Sequence, residues 1–398
     1  MIKINDYIDI VGKDVINNLK KKAKKFKDKR IVCISSTNQG GGVAEMLNSL
    51  VILFNDLGIN FGWRIIHGSP DFFAITKSLH NALQGAPVNL SRHEKEIYLN
   101  TNERYSIFTH LNHDLVIVHD PQPLALINFY KKRQPWIWRC HIDLTNSDKK
   151  VWNFLSEYID KYDQVVVSDE AYRKDLSNSQ DIIHPAIDPL SDKNRKLTSS
   201  QINKILSEQS ISLSKPIITQ ISRFDKWKDP EGVIKIFDMV KKKSDCQLVL
   251  LGNTATDDPE GVKVYSYIKK FSNKKDIKIL VNVKNNDLTV NALQSKASVV
   301  IQKSIREGFA LTISEAAYKS TPVVASNIGG MPLQIINNES GYLHDPLDYK
   351  SFADSIVKIL KDKKHAVKLG KRGKKYIEEN FLITRLIEDW LDLFAKYL

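Results

Sequence analysis

The most constraining feature of this chain is a regular alternation between short β-branched runs and longer amphipathic stretches. RIVCISS (30–36) has the composition of a strand, and the next segment, GGVAEMLNSLVILFNDLG (41–58), has helical periodicity and ends at a glycine. Further predicted strands are FGWRIIH (61–67), DLVIVH (114–119), PWIWRC (135–140), DQVVVS (163–168), PIITQIS (216–222), CQLVLLG (246–252), IKILVNV (277–283), SVVIQ (298–302) and PVVAS (322–326). Because helix-like segments separate these runs, the order predicts right-handed βαβ units around parallel sheets.

This alternation lapses between about residues 185 and 215. HPAIDPLSDKNRKLTSSQ contains two prolines and little apolar content, which is typical of a linker. A chain of 398 residues is also too long for one ordinary core. We therefore expect two doubly wound α/β domains, over residues 1–195 and 196–380, that face a central cleft, and a C-terminal helix at 381–398 that crosses back to the first domain.

Composition restricts the class of protein. Hydrophobic and charged contents of 42% and 26% are those of a soluble globular protein, and no apolar run is long enough for an integral membrane segment. The N-terminus lacks a signal-peptide core, and the three cysteines have neither zinc-site nor disulfide spacing, which predicts a cytoplasmic protein. The net charge of +13 suits anionic ligands, but no nucleic-acid module accompanies it, so nucleic acid is not an expected partner.

Two groups of residues in the first half are candidates for ligand binding. Gly40, Gly41 and Gly42 follow the first strand and open a helix, where free N–H groups favour an anion, although a glycine turn with only a packing role explains them equally well. The pairs His119-Asp120 and Arg139…His141 stand at the ends of two later strands. Strand ends meet at one edge of a parallel sheet, so we expect a shared site, although a single histidine is more often structural.

The second half opens with ISRFDKWKDPEG. Arg223 and Lys228 follow a predicted strand there, and a helix is expected to start near Asp229 and Pro230. Two cations beside a helix start form an anion site suited to a diphosphate. A plain surface pair is the alternative, because the chain contains many lysines.

The segment REGFALTISE contains two acids eight positions apart. Glu307 is expected in the loop after SVVIQ, and Glu315 about two turns into the helix FALTISEAAYKS, so the two are too far apart to act as one acid/base pair. We interpret them as separate carboxylates that bind hydroxyl groups along an extended ligand. The N–H groups between Phe309 and Leu311 would face a phosphate. The alternative is a surface acid and an unrelated helix-face acid.

These residues together resemble the retaining glycosyltransferases of the GT-B class, glycosyltransferase family 4, whose EX7E motif is matched by Glu307 to Glu315. Within that class, VIVHDPQPLAL, WIWRCHIDLTN, ISRFDKWKDPEGVI and REGFALTISEA resemble the trehalose glycosyltransferring synthases and the GT-B trehalose phosphorylases. The resemblance covers nearly the whole chain. It implies reversible, retaining transfer of glucose from a nucleoside-diphosphate glucose (UDP- or ADP-glucose) to free glucose, which forms trehalose.

The resemblance also implies roles for single residues. Arg223 and Lys228 would neutralise the leaving diphosphate, Glu315 would bind ribose, Glu307 would bind the donor glucose, and His141 would contact it near the reacting carbon. The implied catalytic set is His141, Glu307, Arg223 and Lys228. The implied donor-binding set is Gly41, Gly42, Arg223, Lys228, Asn253, Val283, Glu307, Gly308, Phe309, Ala310, Leu311 and Glu315. The implied acceptor-binding set is His119, Asp120 and Arg139. Such transfer is assigned a front-face path in which the leaving phosphate takes the acceptor proton, so that no carboxylate nucleophile is needed.

Cofactors and partners follow from the same inventory. No metal-ligand cluster stands out in the sequence, so neither a metal nor a tightly bound cofactor is required, while stimulation by Mg²⁺ is compatible with it. The expected partners are nucleotide-glucose, glucose and trehalose, and a homodimer is left open. Three alternative functions remain. They are a trehalose phosphorylase that uses inorganic phosphate, a GT-B enzyme with a lipid-linked or sucrose-type acceptor, and a nucleotide-binding regulator without turnover.

Overall fold

Two parallel sheets organise the chain in a computed structural model that describes residues 2–38, 41–253 and 259–398, apart from the side chains at 259, 260 and 273. The chain divides into two units, the first of Met1–Ala186 with Ile383–Leu398, and the second of Ile187–Leu382. The divisions lie at residues 186 and 382, where the sequence placed them at 195 and 380. The two six-stranded sheets are those of the expected α/β fold.

Unit 1 contains the first six strands. They are β1 Arg30–Ser35, β2 Asn60–Ile65, β3 Leu115–His119, β4 Trp136–Arg139, β5 Gln164–Val167 and β6 Ser179–Ile182. Their order in the sheet is β2-β1-β3-β4-β5-β6, and all neighbours are parallel. Val32 of β1, for example, lies between Gly62 of β2 and Val116 of β3. The chain therefore turns to one side after β1 and to the other side at β3.

Helices cover this first sheet. They are α1 Ile8–Val11, α2 Lys13–Ala23, α3 Gly42–Asp56, α4 Pro70–Leu83, α5 Arg92–Phe108, α6 Lys149–Ile159 and, from the C-terminal segment, α14 Ile383–Phe394. Phe394 of α14 packs against Phe26 and Phe54, with ring centroids 6.0 and 5.6 Å apart. Arg385 of α14 donates to the carbonyl of His184 at 2.8 Å. These contacts attach the C-terminal helix to unit 1.

Unit 2 contains the other six strands. They are β7 Ile217–Ile221, β8 Gln247–Gly252, β9 Ile277–Val281, β10 Val299–Gln302, β11 Val323–Ser326 and β12 Tyr342–His344. Their order is β12-β11-β10-β7-β8-β9, again parallel throughout. The helices are α7 Ser199–Glu208, α8 Pro230–Lys241, α9 Pro259–Lys269, α10 Asn286–Lys296, α11 Leu311–Tyr318, α12 Tyr349–Lys361 and α13 Lys363–Asn380. The direction of winding reverses between β7 and β10.

Short 3-10 helices complete the described elements. They span Ile4–Tyr7, Lys24–Phe26, Leu124–Phe129, Glu170–Tyr172, Lys226–Lys228, Lys270–Asn273 and Pro332–Gln334. Across the described residues, no helix combines the length and the apolar character that a membrane span needs.

The linker prediction was wrong for residues 199–208, which form α7. The Thr198 hydroxyl oxygen accepts a hydrogen bond from the backbone N–H of Gln201 at 3.2 Å, and the Gln201 side-chain oxygen accepts one from the backbone N–H of Thr198 at 2.9 Å. This capping box starts the helix, and Leu206 is buried on its inner face. A polar helix with so few apolar positions resembles a loop in composition, which explains the error.

Candidate functional site

The candidate residues lie where each sheet reverses its winding. In unit 1, Gly41 and Gly42 follow β1, and His119 and Asp120 end its neighbour β3. In unit 2, Arg223 and Lys228 follow β7, and Glu307 follows its neighbour β10. Ligands of open α/β sheets bind outside the carboxyl ends of the strands at such reversal points. Each unit therefore has a candidate site of its own.

The glycine loop of unit 1 has a defined backbone requirement. Gly41 caps the start of α3 with φ +82°, a conformation that favours glycine, and a Cβ built on it would meet nothing within 4 Å. The residue is needed for the turn, not for close packing. Gly42 is the first residue of α3, whose leading N–H groups have no intrahelical acceptor. Gly40 lies outside the described residues.

His119 and His141 form a stacked pair beside this loop. His119 Nδ1 lies 3.0 Å from His141 Nε2, and the ring planes are 11° apart with centroids at 5.3 Å. Burial lowers the pKa of His119 to about 3, and burial with the nearby Arg139 lowers the pKa of His141 well below its usual value. Both rings are therefore neutral at pH 7. His119 Nε2 and His141 Nδ1 are buried, with no hydrogen-bond partner among the described residues.

Asp120 is fixed in an unusual backbone conformation next to the pair. Its φ is +62°, its Oδ1 accepts from the N–H of His141 at 2.8 Å, and its carbonyl accepts from Trp138 Nε1 at 3.1 Å. Tyr98 holds the following residue by donating to the carbonyl of Pro121 at 2.7 Å. Burial raises the pKa of Asp120 to about 6. The carboxylate is thus rigid and close to titration at neutral pH.

Arg139 has internal partners. It is 2% exposed, and its Nη2 donates to Ser168 Oγ at 3.0 Å and to the carbonyl of Ile183 at 2.8 Å. Burial lowers the pKa of its guanidinium to about 10. The same side chain lines a small cavity with the two histidines and with apolar residues of α3 and α14 such as Leu47 and Trp390. This geometry favours support of the histidine pair over direct contact with an acceptor, and the acceptor-binding role stays a prediction.

In unit 2, Lys228 and Glu307 are in direct contact. Lys228 Nζ donates to Glu307 Oε2, and both side chains are mostly buried. Asp225 holds the 3-10 turn beneath them by accepting from the N–H groups of Trp227 at 2.9 Å and Lys228 at 3.0 Å. The loops after β7 and β10 also meet where Ile305 donates to the carbonyl of Trp227 at 2.7 Å. The two loops therefore form one surface, although 79 residues separate Lys228 from Glu307.

Arg223 keeps an accessible guanidinium at the same edge. Its side chain is 48% exposed, and its Nη2 lies 3.9 Å from the carboxylate of Asp225. Asn253 and Val283 follow β8 and β9, the next two strands of the sheet, and Asn253 is exposed. The predicted donor residues of unit 2 thus follow neighbouring strands along one edge.

A buried ion pair under Lys228 was missed from the sequence. Asp229 caps α8 by accepting from the N–H of Gly232 at 3.0 Å, and its Oδ2 accepts from Nζ of the fully buried Lys303. Burial lowers the pKa of Lys303 to about 8. Gln220 joins both loops, since it donates to the carbonyl of Lys228 and accepts from the N–H of Lys303, each at 2.8 Å. A lysine directly after an apolar strand is the signal that marks Lys303 in the sequence.

The helix of REGFALTISE starts later than expected. α11 begins at Leu311 after Ala310, whose φ is +69°, so Glu315 lies one turn along the helix and not two. Glu315 is 2% exposed, and its Oε2 accepts from Gln294 Nε2 at 2.9 Å. Gly308 accepts from the N–H of Gly330 at 3.1 Å, which fixes the loop before the helix. At the start of α11, the N–H of Ile313 donates to the carbonyl of Ala310 at 3.0 Å and the N–H of Ser314 donates to Oε1 of Gln334 at 3.2 Å, while the N–H groups before them have no intrahelical acceptor.

The three candidate carboxylates share one property. Asp120, Glu307 and Glu315 each have one oxygen held by the protein, through the N–H of His141, the ammonium of Lys228 and the amide of Gln294. The second oxygen of each has no hydrogen-bond partner among the described residues. Such a carboxylate is oriented and can still accept from a ligand hydroxyl.

Two family models together match most of this chain. Residues 33–174 match the family described as "Trehalose synthase, N-terminal domain", and residues 201–376 match "Glycosyl transferases group 1". The trehalose synthase of Thermococcus litoralis is 42% identical over 99% of this chain and 97% of its own length. The chain belongs to the trehalose synthase family. Another family member, from Rubrobacter xylanophilus, is 41% identical over 99% of this chain and 96% of its own length.

More distant relatives place the family in its context. The trehalose phosphorylase of Grifola frondosa is 28% identical over 99% of this chain, which spans 61% of that relative. The α,α-trehalose-phosphate synthase (UDP-forming) of Burkholderia xenovorans, solved with glucose-6-phosphate, superposes with a TM-score of 0.74 at 13% identity, over 92% of this chain and 100% of the other. The trehalose synthase family is thus a glycosyltransferase family, and this member has the GT-B fold.

Proposed function

We propose that this chain forms trehalose reversibly by transferring glucose, with retention, from a nucleoside-diphosphate glucose to free glucose. The trehalose synthases that are 41–42% identical over nearly the whole chain support the product. Solved GT-B neighbours support a nucleotide donor, since HepE from Anabaena, at a TM-score of 0.72 and 16% identity over 92% of this chain and 100% of the other, was solved with UDP and glucose. UDP-glucose and ADP-glucose are the two donors proposed.

The observation that carries this proposal is the joint surface of unit 2 where Lys228 contacts Glu307 beside the accessible Arg223. Breaking the bond between the sugar C1 and the diphosphate leaves negative charge on the phosphate oxygens. Arg223 and Lys228 stabilise that negative charge. The N–H groups between Phe309 and Leu311 stabilise it further. Glu307 accepts from hydroxyl groups of the donor glucose, and Glu315 accepts from those of the ribose. Asn253 and Val283 border the base.

The acceptor is assigned to unit 1. Asp120 accepts from hydroxyl groups of the free glucose through its open oxygen, and the glycine loop at Gly41 and Gly42 borders the reacting groups. His141 acts as a neutral hydrogen-bonding group, because burial keeps its pKa far below 7. The acceptor oxygen bonds to C1 on the face that the diphosphate leaves, and the leaving phosphate oxygen takes the acceptor proton. This balance needs no side-chain nucleophile.

Two further features belong to this proposal. The positive charges of Arg223 and Lys228 neutralise the diphosphate. Turnover is therefore expected to continue after a chelator has removed divalent metal ions, and Mg²⁺ should at most stimulate it. The described cysteines, Cys33, Cys140 and Cys246, are all buried free thiols, which supports the reducing cytoplasm as the site of action.

The deciding experiment is incubation of the protein with glucose and separate nucleotide-glucoses, followed by measurement of trehalose and released nucleoside diphosphate. A parallel incubation replaces the nucleotide donor with glucose 1-phosphate, the donor of a phosphorylase. Trehalose and nucleoside diphosphate in equal amounts are the expected result. Trehalose formed only from glucose 1-phosphate would mean that this protein is a phosphorylase, like its more distant relatives.

A further inference from the structure

Glu315, the proposed ribose-binding residue, lies in a buried polar cluster whose other members have no role in the proposed chemistry. The cluster joins α10, α11 and the segment before α7 and consists of Gln294, Glu315, Lys319 and Asn194. Gln294 and Glu315 are 0% and 2% exposed, so their hydrogen bonds are formed away from bulk water. Groups in such a setting hold one arrangement strongly, because a broken bond leaves a buried polar atom without a partner.

The direction of the Gln294 amide is fixed by its two neighbours. Its Oε1 lies 3.0 Å from Lys319 Nζ, and its Nε2 lies 2.9 Å from Glu315 Oε2. Because a carboxylate can only accept, the reversed amide would face Oε2 of Glu315 with its own acceptor oxygen, and the observed direction also points the amide oxygen at the amino group of Lys319. Thr321 Oγ1 donates to the Gln294 carbonyl at 2.7 Å and holds the backbone as well.

Lys319 is itself held from two further directions. It donates to Asn194 Oδ1 at 2.8 Å and to the carbonyl of Glu315 at 3.1 Å. Burial lowers the pKa of Lys319 to about 7, and the nearby Glu315 opposes that shift. The chain of contacts therefore runs from Asn194 through Lys319 and Gln294 to one oxygen of Glu315. The other oxygen has no hydrogen-bond partner in the part of the chain that the structure describes.

We propose that Gln294 is a specificity-determining residue, which holds Oε2 of Glu315 so that Oε1 faces the ribose hydroxyls, and thereby sets a preference for ribonucleotides over deoxyribonucleotides. This inference rests on the proposed ribose role of Glu315. A freely rotating carboxylate could accept a hydrogen bond from a water molecule in place of the missing deoxyribose hydroxyl. A fixed carboxylate is left without a hydrogen-bond donor when a deoxyribonucleotide binds. The free-energy cost of that unpaired oxygen distinguishes the ribonucleotide from the deoxyribonucleotide.

The test compares the affinity for ADP with that for 2′-deoxy-ADP and 3′-deoxy-ADP, and repeats the series with UDP and its deoxy forms, by titration calorimetry. The readout is the dissociation constant of each deoxyribonucleotide divided by that of the matching ribonucleotide, measured on the same variant. Partial unfolding of a variant affects both constants equally and leaves this ratio unchanged. The wild-type protein is expected to favour the ribonucleotide by roughly tenfold or more. In Gln294→Met the ratio should fall most of the way to one, mainly through weaker binding of the ribonucleotide.

Two further variants make the result specific. Gln294→Leu presents neither an acceptor to Lys319 nor a donor to Glu315, so it should lose the preference like Gln294→Met; the wild-type ratio in it would overturn the proposal. Gln247→Met removes another buried glutamine, which donates to the carbonyls of Ser212 and Lys215 at 2.6 and 3.2 Å at the opposite edge of the sheet. Its ratio should equal that of the wild type, and an equal loss there would reduce the effect to general destabilisation.

Glu315→Ala separates the inference from the function on which it rests. If Glu315→Ala keeps the wild-type ratio, Glu315 does not bind ribose, and that part of the proposed function fails. If Glu315→Ala loses the preference while Gln294→Met retains it, the carboxylate binds ribose without the help of Gln294, and only the inference fails. Loss of the preference in both variants is the expected result.

Discussion

Lys228 is the residue whose charge the proposed chemistry depends on most directly. We expect Lys228→Met to lower turnover, with a loss of about 2–4 kcal/mol of transition-state stabilisation. The reason is that no other described side chain replaces the Lys228 ammonium beside Glu307. Turnover should be measured with the nucleotide donor and glucose, and the melting temperature should be compared with that of the wild type. Lys235→Met is a matched control, since that lysine is 57% exposed and pairs with Glu231 on the surface of α8. Equal turnover in both variants would remove Lys228 from the mechanism.

Asp120 predicts a pH dependence of acceptor binding. Burial raises its pKa to about 6, so the carboxylate is neutralised as the pH falls through 6, whereas an ordinary aspartate titrates near 3.9. We expect the KM for glucose to rise between pH 7 and pH 5, and Asp120→Asn to show a high KM without that pH dependence. The raised pKa means that protonation favours the folded state, so a loss of stability at pH 5 cannot come from this group. A wild-type KM for glucose in Asp120→Asn would exclude Asp120 from the acceptor site.

Glu307 is expected to separate binding from transfer. In Glu307→Gln, Lys228 loses the carboxylate that it contacts, and its full charge is available to a diphosphate. Nucleoside diphosphate should therefore bind no more weakly than to the wild type, while transfer falls sharply because the donor sugar loses a charged acceptor. Calorimetry and steady-state turnover on the same preparation provide the two measurements. If the affinity for nucleoside diphosphate falls in parallel with turnover, Glu307 stabilises the folded loop and does not bind the donor sugar.

The elements themselves were accessible from sequence wherever a strand is buried on both faces. Continuous apolar runs such as LVIVH at β3 have few alternatives to a central parallel strand, and every residue of β3 is buried. The short edge strands β6 and β12 were missed because SQDI and YLH carry too little apolar pattern. Pairings across the chain were missed for a different reason. The ion pair of Asp229 with Lys303 depends on which strands lie next to each other, and local periodicity does not specify that order.

The start of α8 allows a test of how a helix cap positions Lys228. Gly232 lies in the first turn, and a Cβ added there would lie 2.3 Å from Asp229 Oδ2 and 2.9 Å from Lys303 Nζ. Alanine is favoured over glycine in helices by about 1 kcal/mol, so propensity alone predicts a more stable protein. We expect the opposite, with Gly232→Ala lowering both the melting temperature and turnover because it separates the ion pair.

Gly62→Ala is the control for this substitution. A Cβ there meets its nearest atoms at 3.8 and 3.9 Å, an ordinary contact, so neither stability nor turnover should fall. A stabilised and fully active Gly232→Ala would show that the cap adjusts freely and does not position Lys228.

At the scale of the whole molecule, the two units divide the proposed ligands between them. Nucleoside diphosphate should slow amide hydrogen exchange in unit 2, at the loops around residues 223–228 and 307–311. Glucose should slow exchange in unit 1, at the loop around residues 119–123. The experiment uses the full chain and mass-resolved peptides from both units, with sucrose at the same concentration as a control for nonspecific protection. Protection of the unit 1 loop by nucleotide alone would contradict the division.

In Asp120, Glu307 and Glu315 the protein holds one carboxylate oxygen and leaves the other open, and this arrangement has a thermodynamic consequence. Each side chain is already held by a hydrogen bond in the folded protein, before any sugar binds. Ordering a flexible side chain at a binding site costs about 0.5–1.5 kcal/mol, and three fixed carboxylates avoid most of that entropic cost. Recognition of hydroxyl groups would then be governed by enthalpy. Epimers that misplace a single hydroxyl would lose contact energy that no side-chain rearrangement restores.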